Sequence, residues 1–461
     1  MKKLTLLSIF LVGLQVSTLA QYEWKNKGIG TNFPVPALAA DTTNNILYAG
    51  GVFPGPLNIP VAGVAKWDGD SFSPLGLGVL SGTSVSSLLV MPNGDLIVGG
   101  TFTSLGGLLT KNIARWNGSA WSALGQGLSS LLGVASIKAM VVYNNELYAG
   151  GVFGVSGLTP INFIAKWNGN GWVPVGSGTN GPVLSMAVYN NELYVGGTFT
   201  YAGGVSVHNI AKWNGTAWGD VGGGVDYTGA ISVSALQIYS GGLYAGGTFT
   251  SAGSVSVKNI AKWDGTSWSD PGGGADYTGA ISVSAFQVFH GELVAAGAFN
   301  SLGGNEAKYI GAWDGSSWHE LGGGMNNKVC ALATLKDTLY AAGLFTTAGE
   351  VSANYVAAWQ PSETGYSPDR GRMQQSKTSE IKQFDVFPNP ASANVWIYNK
   401  RSGVSCNFIL TDALGREVAR IENCGQLINF ERKNISGGLY FYRITNANGA
   451  LLQEGKVVFT D

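Results

Sequence analysis

Six residues have the types and the setting to hold a ligand. Tyr201 and His208 share one short stretch, and Asp226-Tyr227 and Asp276-Tyr277 recur in the near-copies GGGVDYTGAISVSA and GGGADYTGAISVSA. An aromatic ring beside a carboxylate can stack on a sugar face and bond its hydroxyls, or grip an extended peptide. The expected ligand is therefore a glycan or a protein. The same residues also read as a duplicated spacer, because the units that carry them are so alike.

The remaining chemistry is narrow. Residues 21–360 hold a single arginine, Arg115, and the other seven lie beyond position 369. A region so poor in Arg has few bidentate clamps for carboxylates or phosphates, and it lacks the arginine cluster of a sialidase. The three His (His208, His290, His319) are far apart, and the three Cys (Cys330, Cys406, Cys424) make neither a zinc framework nor a disulfide scaffold. A copper-radical oxidase would need several His ligands and a Tyr–Cys crosslink. WDGTSW has the composition of an Asp-box, but Asp264 and Gly265 are adjacent, without the residue that motif puts between them. No catalytic set, metal or cofactor is expected, although distant carboxylates could still converge. A formal net charge of −1 gives no reason to expect nucleic acid as partner.

The elements that position these residues repeat. A small-residue pair followed by Phe recurs seven times, at Phe53, Phe102, Phe153, Phe199, Phe249, Phe299 and Phe345. Trp follows each Phe by 14 residues (Trp67, Trp116, Trp167, Trp213, Trp263, Trp313, Trp359). A second aromatic follows five later in six of the units (Phe72, Trp121, Trp172, Trp218, Trp268, Trp318). Asn-Asn and Asn-Gly dipeptides mark tight hairpins. The Gly pair permits close backbone approach within a strand, and the two Trp can face each other across the turn. Four short antiparallel strands per 46–51 residues is the period of a propeller blade.

The Gly pair after Leu-Tyr and the Trp-Asp/Asn-Gly-x-x-Trp turn resemble a kelch-type repeat, and resemble more closely the repeats of fungal cell-polarity marker proteins. The resemblance covers residues 21–360 and departs from kelch in having Trp where kelch usually has Tyr before the turn. It implies a propeller architecture and says little of activity.

The seventh unit has no second aromatic, since Thr364 stands there. Trp24-Lys-Asn-Lys-Gly28-Ile-Gly30 matches Trp121 to Gly127 position for position. We therefore expect an all-β, seven-bladed propeller closed by an N-terminal strand that lies antiparallel to Asn354–Trp359. Length varies mostly between the fourth strand of one blade and the first of the next. In a propeller those connections share a face with the strand 2–3 loops, which makes that face the expected binding face.

Residues 1–20 read as a signal peptide: Lys2-Lys3, an apolar run, then small residues before Gln21. The run is shorter than the roughly 20 residues of a membrane span, and no Cys follows Ala20 to carry a lipid. Residues 361–380 are polar and read as a linker. Residues 381–461 resume as strands of a small β-sandwich. Phe387-Pro388-Asn389-Pro390, Leu414-Gly415-Arg416-Glu417, Gly438-Leu439-Tyr440-Phe441-Tyr442-Arg443-Ile444 and Lys456-Val457-Val458 resemble the type A C-terminal sorting domain of the type IX secretion system of Bacteroidota. That resemblance implies the secretion machinery as partner, export to the outer surface or beyond, and removal of the tail near the linker. Cys406 and Cys424 could oppose each other across the hairpin around DALGRE, with or without a disulfide. The expected function is a secreted or surface-held binding or adhesion module. A carbohydrate-active enzyme with carboxylates at the channel, or a structural surface component, are the alternatives.

Overall fold

The computed structural model describes residues 22–27, 34–51, 63–67, 69, 72–75, 81–131, 133–226, 232–276, 282–362, 384–387, 394–399, 406–412, 415–424, 427–432, 435–446 and 449–459. The signal-peptide segment, Gly28, Gly30, Phe53, most of the linker, Pro388, Asn389, Pro390 and Leu414 lie outside the described residues. The chain forms two compact units, residues 1–366 and 367–461.

The first unit is built from four-stranded antiparallel sheets in chain order, consistent with the blades of a propeller. The third illustrates them all: Ser136–Tyr143, Glu146–Val152, Ile164–Trp167 and Trp172–Pro174, each paired with the next. Six sheets follow this plan, starting at Ala37, Ser81, Ser136, Val183, Ser232 and Ser282. The seventh is composite: Val329–Leu335, Thr338–Gly343 and Val356–Pro361 receive Tyr22–Asn26 as their fourth strand. Trp24 stands opposite Trp359, where the sequence places it. Consecutive sheets pack on one another, and Ala37–Asp41 of the first packs on Val329–Leu335 of the seventh.

The repeated residues account for this packing. Each described Phe of the motif is buried. The residue three before it is Gly in the first five sheets and Ala in the last two, and each such Gly meets the next sheet's first strand: a Cβ on Gly150 would stand 2.5 Å from Val183, and one on Gly246 would stand 2.6 Å from Val283. The paired Trp rings lie 5.0–5.5 Å apart.

The second Trp also ties sheets together. Trp121, Trp172, Trp218, Trp268 and Trp318 donate their indole N–H to the carbonyls of Leu75, Leu124, Val175, Val221 and Pro271 in the preceding sheet, at 2.7–3.1 Å. Trp24 makes the same bond to Leu321 at 3.1 Å. Phe72 holds this place in the first sheet and has no N–H to give. There the seam is covered by Lys27, whose ammonium lies 5.7 Å from the Trp67 ring centre.

A second series runs along the turns between strands one and two. Tyr143, Tyr189 and Tyr239 donate to the carbonyls of Asn191, Gly241 and Gly291 in the next sheet. The sixth sheet has Phe289 instead, which lacks the hydroxyl. Tyr22 of the closing strand sets its ring edge-on to Phe289, and its hydroxyl meets His290 Nε2 at 2.9 Å and Asp337 Oδ2 at 3.1 Å.

The second unit has two antiparallel sheets, one of Phe384–Phe387, Asn394–Asn399 and Leu427–Glu431, the other of Glu417–Cys424, Cys406–Thr411, Gly438–Asn446 and Leu451–Phe459. Val395, Ile397 and Phe430 of the first sheet share a core with Phe408, Leu410, Tyr440 and Ile444 of the second. Cys406 stands directly opposite Cys424 in the backbone register.

Candidate functional site

The face bearing the strand 2–3 hairpins is more ordered than loop length alone suggests. At five junctions, from the second-to-third to the sixth-to-seventh, the segment that leaves the fourth strand pairs with the next sheet's 2–3 hairpin. Val225–Asp226 joins Ser251–Ala252 and Val255–Ser256, and Ala275–Asp276 joins Ser301–Leu302 and Asn305–Glu306. Single bridges do the same at Ser129–Val155, Thr179–Ala202 and Met325–Ala348. Each of these junctions thus carries a small rigid platform of backbone on which side chains can vary.

The candidate residues are spread over these platforms, not gathered in one pocket. His208 Nδ1 meets Asp226 Oδ2 at 2.8 Å at the junction of the fourth and fifth sheets. Asp276 meets Lys258 Nζ at 2.5 Å one junction further on, and this hydrogen bond raises the Lys258 pKa. Both pairs are exposed. Tyr201 stands at the previous junction, half exposed (50%), at the start of its hairpin. Tyr227 and Tyr277 lie outside the described residues.

Sequence reasoning missed the constant spacing of 18 that joins His208 to Asp226 and Lys258 to Asp276. The same spacing relates Asn162 to Asn180. Together with Phe163, Ser177, Thr179 and Tyr201, these line a cleft of about 300 Å³ between the third and fourth sheets. Asn180 Oδ1 accepts the backbone N–H of Thr200 and Tyr201 at 2.8 and 2.9 Å, which fixes the start of the Tyr201 hairpin.

Other residues with chemical potential serve the scaffold. Arg115 is held by Asp95 at 2.6 Å. Asp264 and Asp314 close the turns between strands three and four, each Oδ1 accepting backbone N–H groups two and three residues on. Those bonds, led by the Ser267 and Ser317 N–H, hold both carboxyls well below the usual range. Asn117, Asn168 and Asn214 do the same work without charge. Lys138, on the first strand of the third sheet, is exposed, yet desolvation by the protein around it lowers its pKa. Among the described residues no three His, Cys, Asp or Glu side chains come together as metal ligands.

In the second unit, Gly415 takes a left-handed φ of 80°, and its N–H bonds the Asp412 carbonyl at 3.0 Å. Arg416 then returns Nε to Asp412 Oδ2 at 2.7 Å. Gly438 opens a strand on which Tyr440 is buried, its hydroxyl donating to the Ser436 carbonyl. Lys456 lies opposite Phe441 on the last strand and is exposed.

Residues 385–458 match the family described as the secretion system C-terminal sorting domain. A sorting domain of this kind marks the chain for export by the type IX secretion system and implies interaction with its machinery. The protein is delivered to the cell surface or beyond it. Among the described residues no helix is long and apolar enough to cross a membrane.

No curated protein matches the chain. Among solved structures, PorZ, a surface component of the type IX secretion system of Porphyromonas gingivalis, is similar at 16% identity and a TM-score of 0.43. That match covers 91% of this chain, which spans 58% of PorZ's length. Two structures of an extracellular domain from B. thetaiotaomicron, assigned to a one-component and to a hybrid two-component system, match at 10% and 11% identity. Their TM-scores are 0.27 and 0.24, over 93% of this chain and 74% of theirs. At such scores the likeness carries no argument about function.

Proposed function

We propose that residues 21–360 form a closed, kelch-like seven-bladed propeller that acts as a non-enzymatic binding or adhesion module, carried to the cell surface by residues 381–461 across a linker at 361–380. The observation that supports this most is the set of platforms on the hairpin face. One backbone frame recurs at five junctions, while the residues it displays change from Asn162 and Asn180 to His208 and Asp226, then Lys258 and Asp276. Varied side chains on an invariant frame suit recognition. A glycosidase needs two carboxyl groups facing each other at roughly 5–10 Å, whereas Asp226 and Asp276 are each engaged by a basic group at their own junction.

A glycan array and a pull-down with the secreted protein test the binding reading, and failure to retain any glycan or protein counts against it. Deleting residues 381–461 tests delivery. The truncated chain is expected to stay in the periplasm, and normal export of it overturns that assignment.

A further inference from the structure

Within this chain the repeat acts as its own control, and the junction of the third and fourth sheets combines three features that no other junction brings together. The first feature is at the position two residues after the motif Phe. Ser104, Ser251, Ser301 and Thr347 stand there in four other sheets and the buried Val155 in the third, but Tyr201 in the fourth, a half-exposed aromatic that the frame does not need.

The second feature is ten residues after the motif Phe. Asn112, Asn209 and Asn259 hold this place in the second, fourth and fifth sheets, in the left-handed conformation that Asn tolerates. Their amides donate to the carbonyls of Leu128, Val225 and Ala275, at 2.7–3.0 Å. The third sheet puts Phe163 there (φ 63°), as the sixth and seventh put Tyr309 (φ 65°) and Tyr355 (φ 68°), a conformation strained for an aromatic residue. Phe has no amide, so the equivalent carbonyl, that of Thr179, receives no such bond. The third feature is the preceding residue, Lys or His in the second, fourth, fifth and sixth sheets but the neutral Asn162 here, as Asn354 is in the seventh.

These three features coincide at the cleft of about 300 Å³, whose lining includes Asn162, Phe163, Thr179 and Tyr201 and no charged side chain. The volume is at the small end of the range for small-molecule sites, roughly 300–1,000 Å³, and suits one or two sugar rings. An exposed Tyr offers a flat face for the C–H groups of a pyranose, and its hydroxyl a polar handle. Asn162 uses its amide nitrogen on the Ser177 carbonyl at 3.0 Å, which orients its carbonyl oxygen as an acceptor for hydroxyls. Anionic sugars find no cation in this cleft, in contrast to the junctions holding His208 and Lys258.

We infer that the cleft between the third and fourth sheets is a binding site for a neutral pyranose of a glycan, with Tyr201 as stacking platform and Asn162 as polar contact. This rests on the reading of the hairpin face as a binding face.

The test is calorimetric titration of the secreted protein with neutral trisaccharides of glucose, galactose, mannose and N-acetylglucosamine, with trigalacturonate as the anionic control. At least one neutral trisaccharide is expected to bind and trigalacturonate not. Tyr201→Ser installs the residue that the fifth and sixth sheets carry at this place, so the fold has precedent, and it should weaken binding tenfold or more. Tyr201→Phe should keep most of it. Binding of neutral sugar that is unchanged in Tyr201→Ser overturns the site, as does a preference for trigalacturonate. If the protein retains glycans or proteins and only His208→Ala or Lys258→Ala abolishes this, the cleft is wrong and the binding-module reading stands. If no trisaccharide, glycan or protein is bound, both fall.

Discussion

Trp24 donates its indole N–H to the carbonyl of Leu321 across 297 residues of chain, repeating a bond made by five other tryptophans between successive sheets. The contact makes the N-terminal strand an interchangeable part of the ring, with the same side chain in the same role.

Two substitutions separate the parts of that role. Trp24→Phe removes the hydrogen bond and part of the buried ring volume and should cost about 1–3 kcal/mol. Trp24→Ala also empties a buried site against Trp359 and should cost about 3–5 kcal/mol. Urea unfolding of the secreted protein followed by tryptophan fluorescence measures both. No loss of stability in Trp24→Phe would show that the indole N–H adds nothing.

Gly322 sets the limit of approach at the same seam. Its φ is +58°, and a Cβ there would stand 2.2 Å from Trp359 Cζ3 and 2.8 Å from Trp24 Nε1. Gly304 shares the left-handed backbone but has open space around it. Gly304→Ala should therefore cost only the conformational strain, about 1–2 kcal/mol. Gly322→Ala should add about 1–3 kcal/mol of overpacking. Denaturation midpoints of the two variants decide the matter.

Alkaline pH should destabilise the first unit. Burial, with smaller help from the charges of Glu146 and Tyr143, pushes the Tyr148 pKa up to about 12, and Tyr48, Tyr194, Tyr244 and Tyr340 move the same way. A folded value above the unfolded 10 means that the folded state favours the neutral phenol. Its contribution is complete below pH 10 and is lost as pH rises toward 12. Unfolding midpoints measured from about pH 8 to about pH 11 should fall with pH, and Tyr148→Phe should flatten that fall. An unchanged slope would exclude Tyr148 as a contributor.

Asp314 should be replaceable by Asn. Its carboxylate closes a turn that Asn117, Asn168 and Asn214 close elsewhere. Asp314→Asn should leave the thermal midpoint unchanged, while Asp314→Ala should lower it measurably. A loss in both would point to a need for the charge itself.

The frame was more legible in the sequence than the site. Trp24 could be placed opposite Trp359 from spacing alone, because a strand that pairs and packs in a fixed register has few alternatives. The motif glycines announced close backbone approach within a strand, and the approach of Gly150 and Gly246 to the next sheet came only with the structure. What spacing could not convey is which side chains meet across a junction. Tyr201, His208, Asp226 and Asp276 look like one group along the chain, yet they occupy three successive junctions. Lys258 was passed over as the partner of Asp276, although His208 and Asp226 show the same interval of 18. The cleft was invisible for another reason. It arises where Asn162 and Phe163 of one sheet meet Tyr201 of the next, and a combination drawn from two sheets shows only once they stand side by side.

The pairing of Tyr22 with Pro361 also constrains the order of events as the chain folds. Six sheets complete themselves from nearby segments, at small loop-closure cost. The seventh must recruit a strand from the opposite end of the unit, the costliest closure it makes. A chain still lacking Val356–Pro361 leaves Tyr22–Asn26 with no partner strand. Completion of the ring is thus a report that the unit has been made in full, read out just before the segment that directs its export.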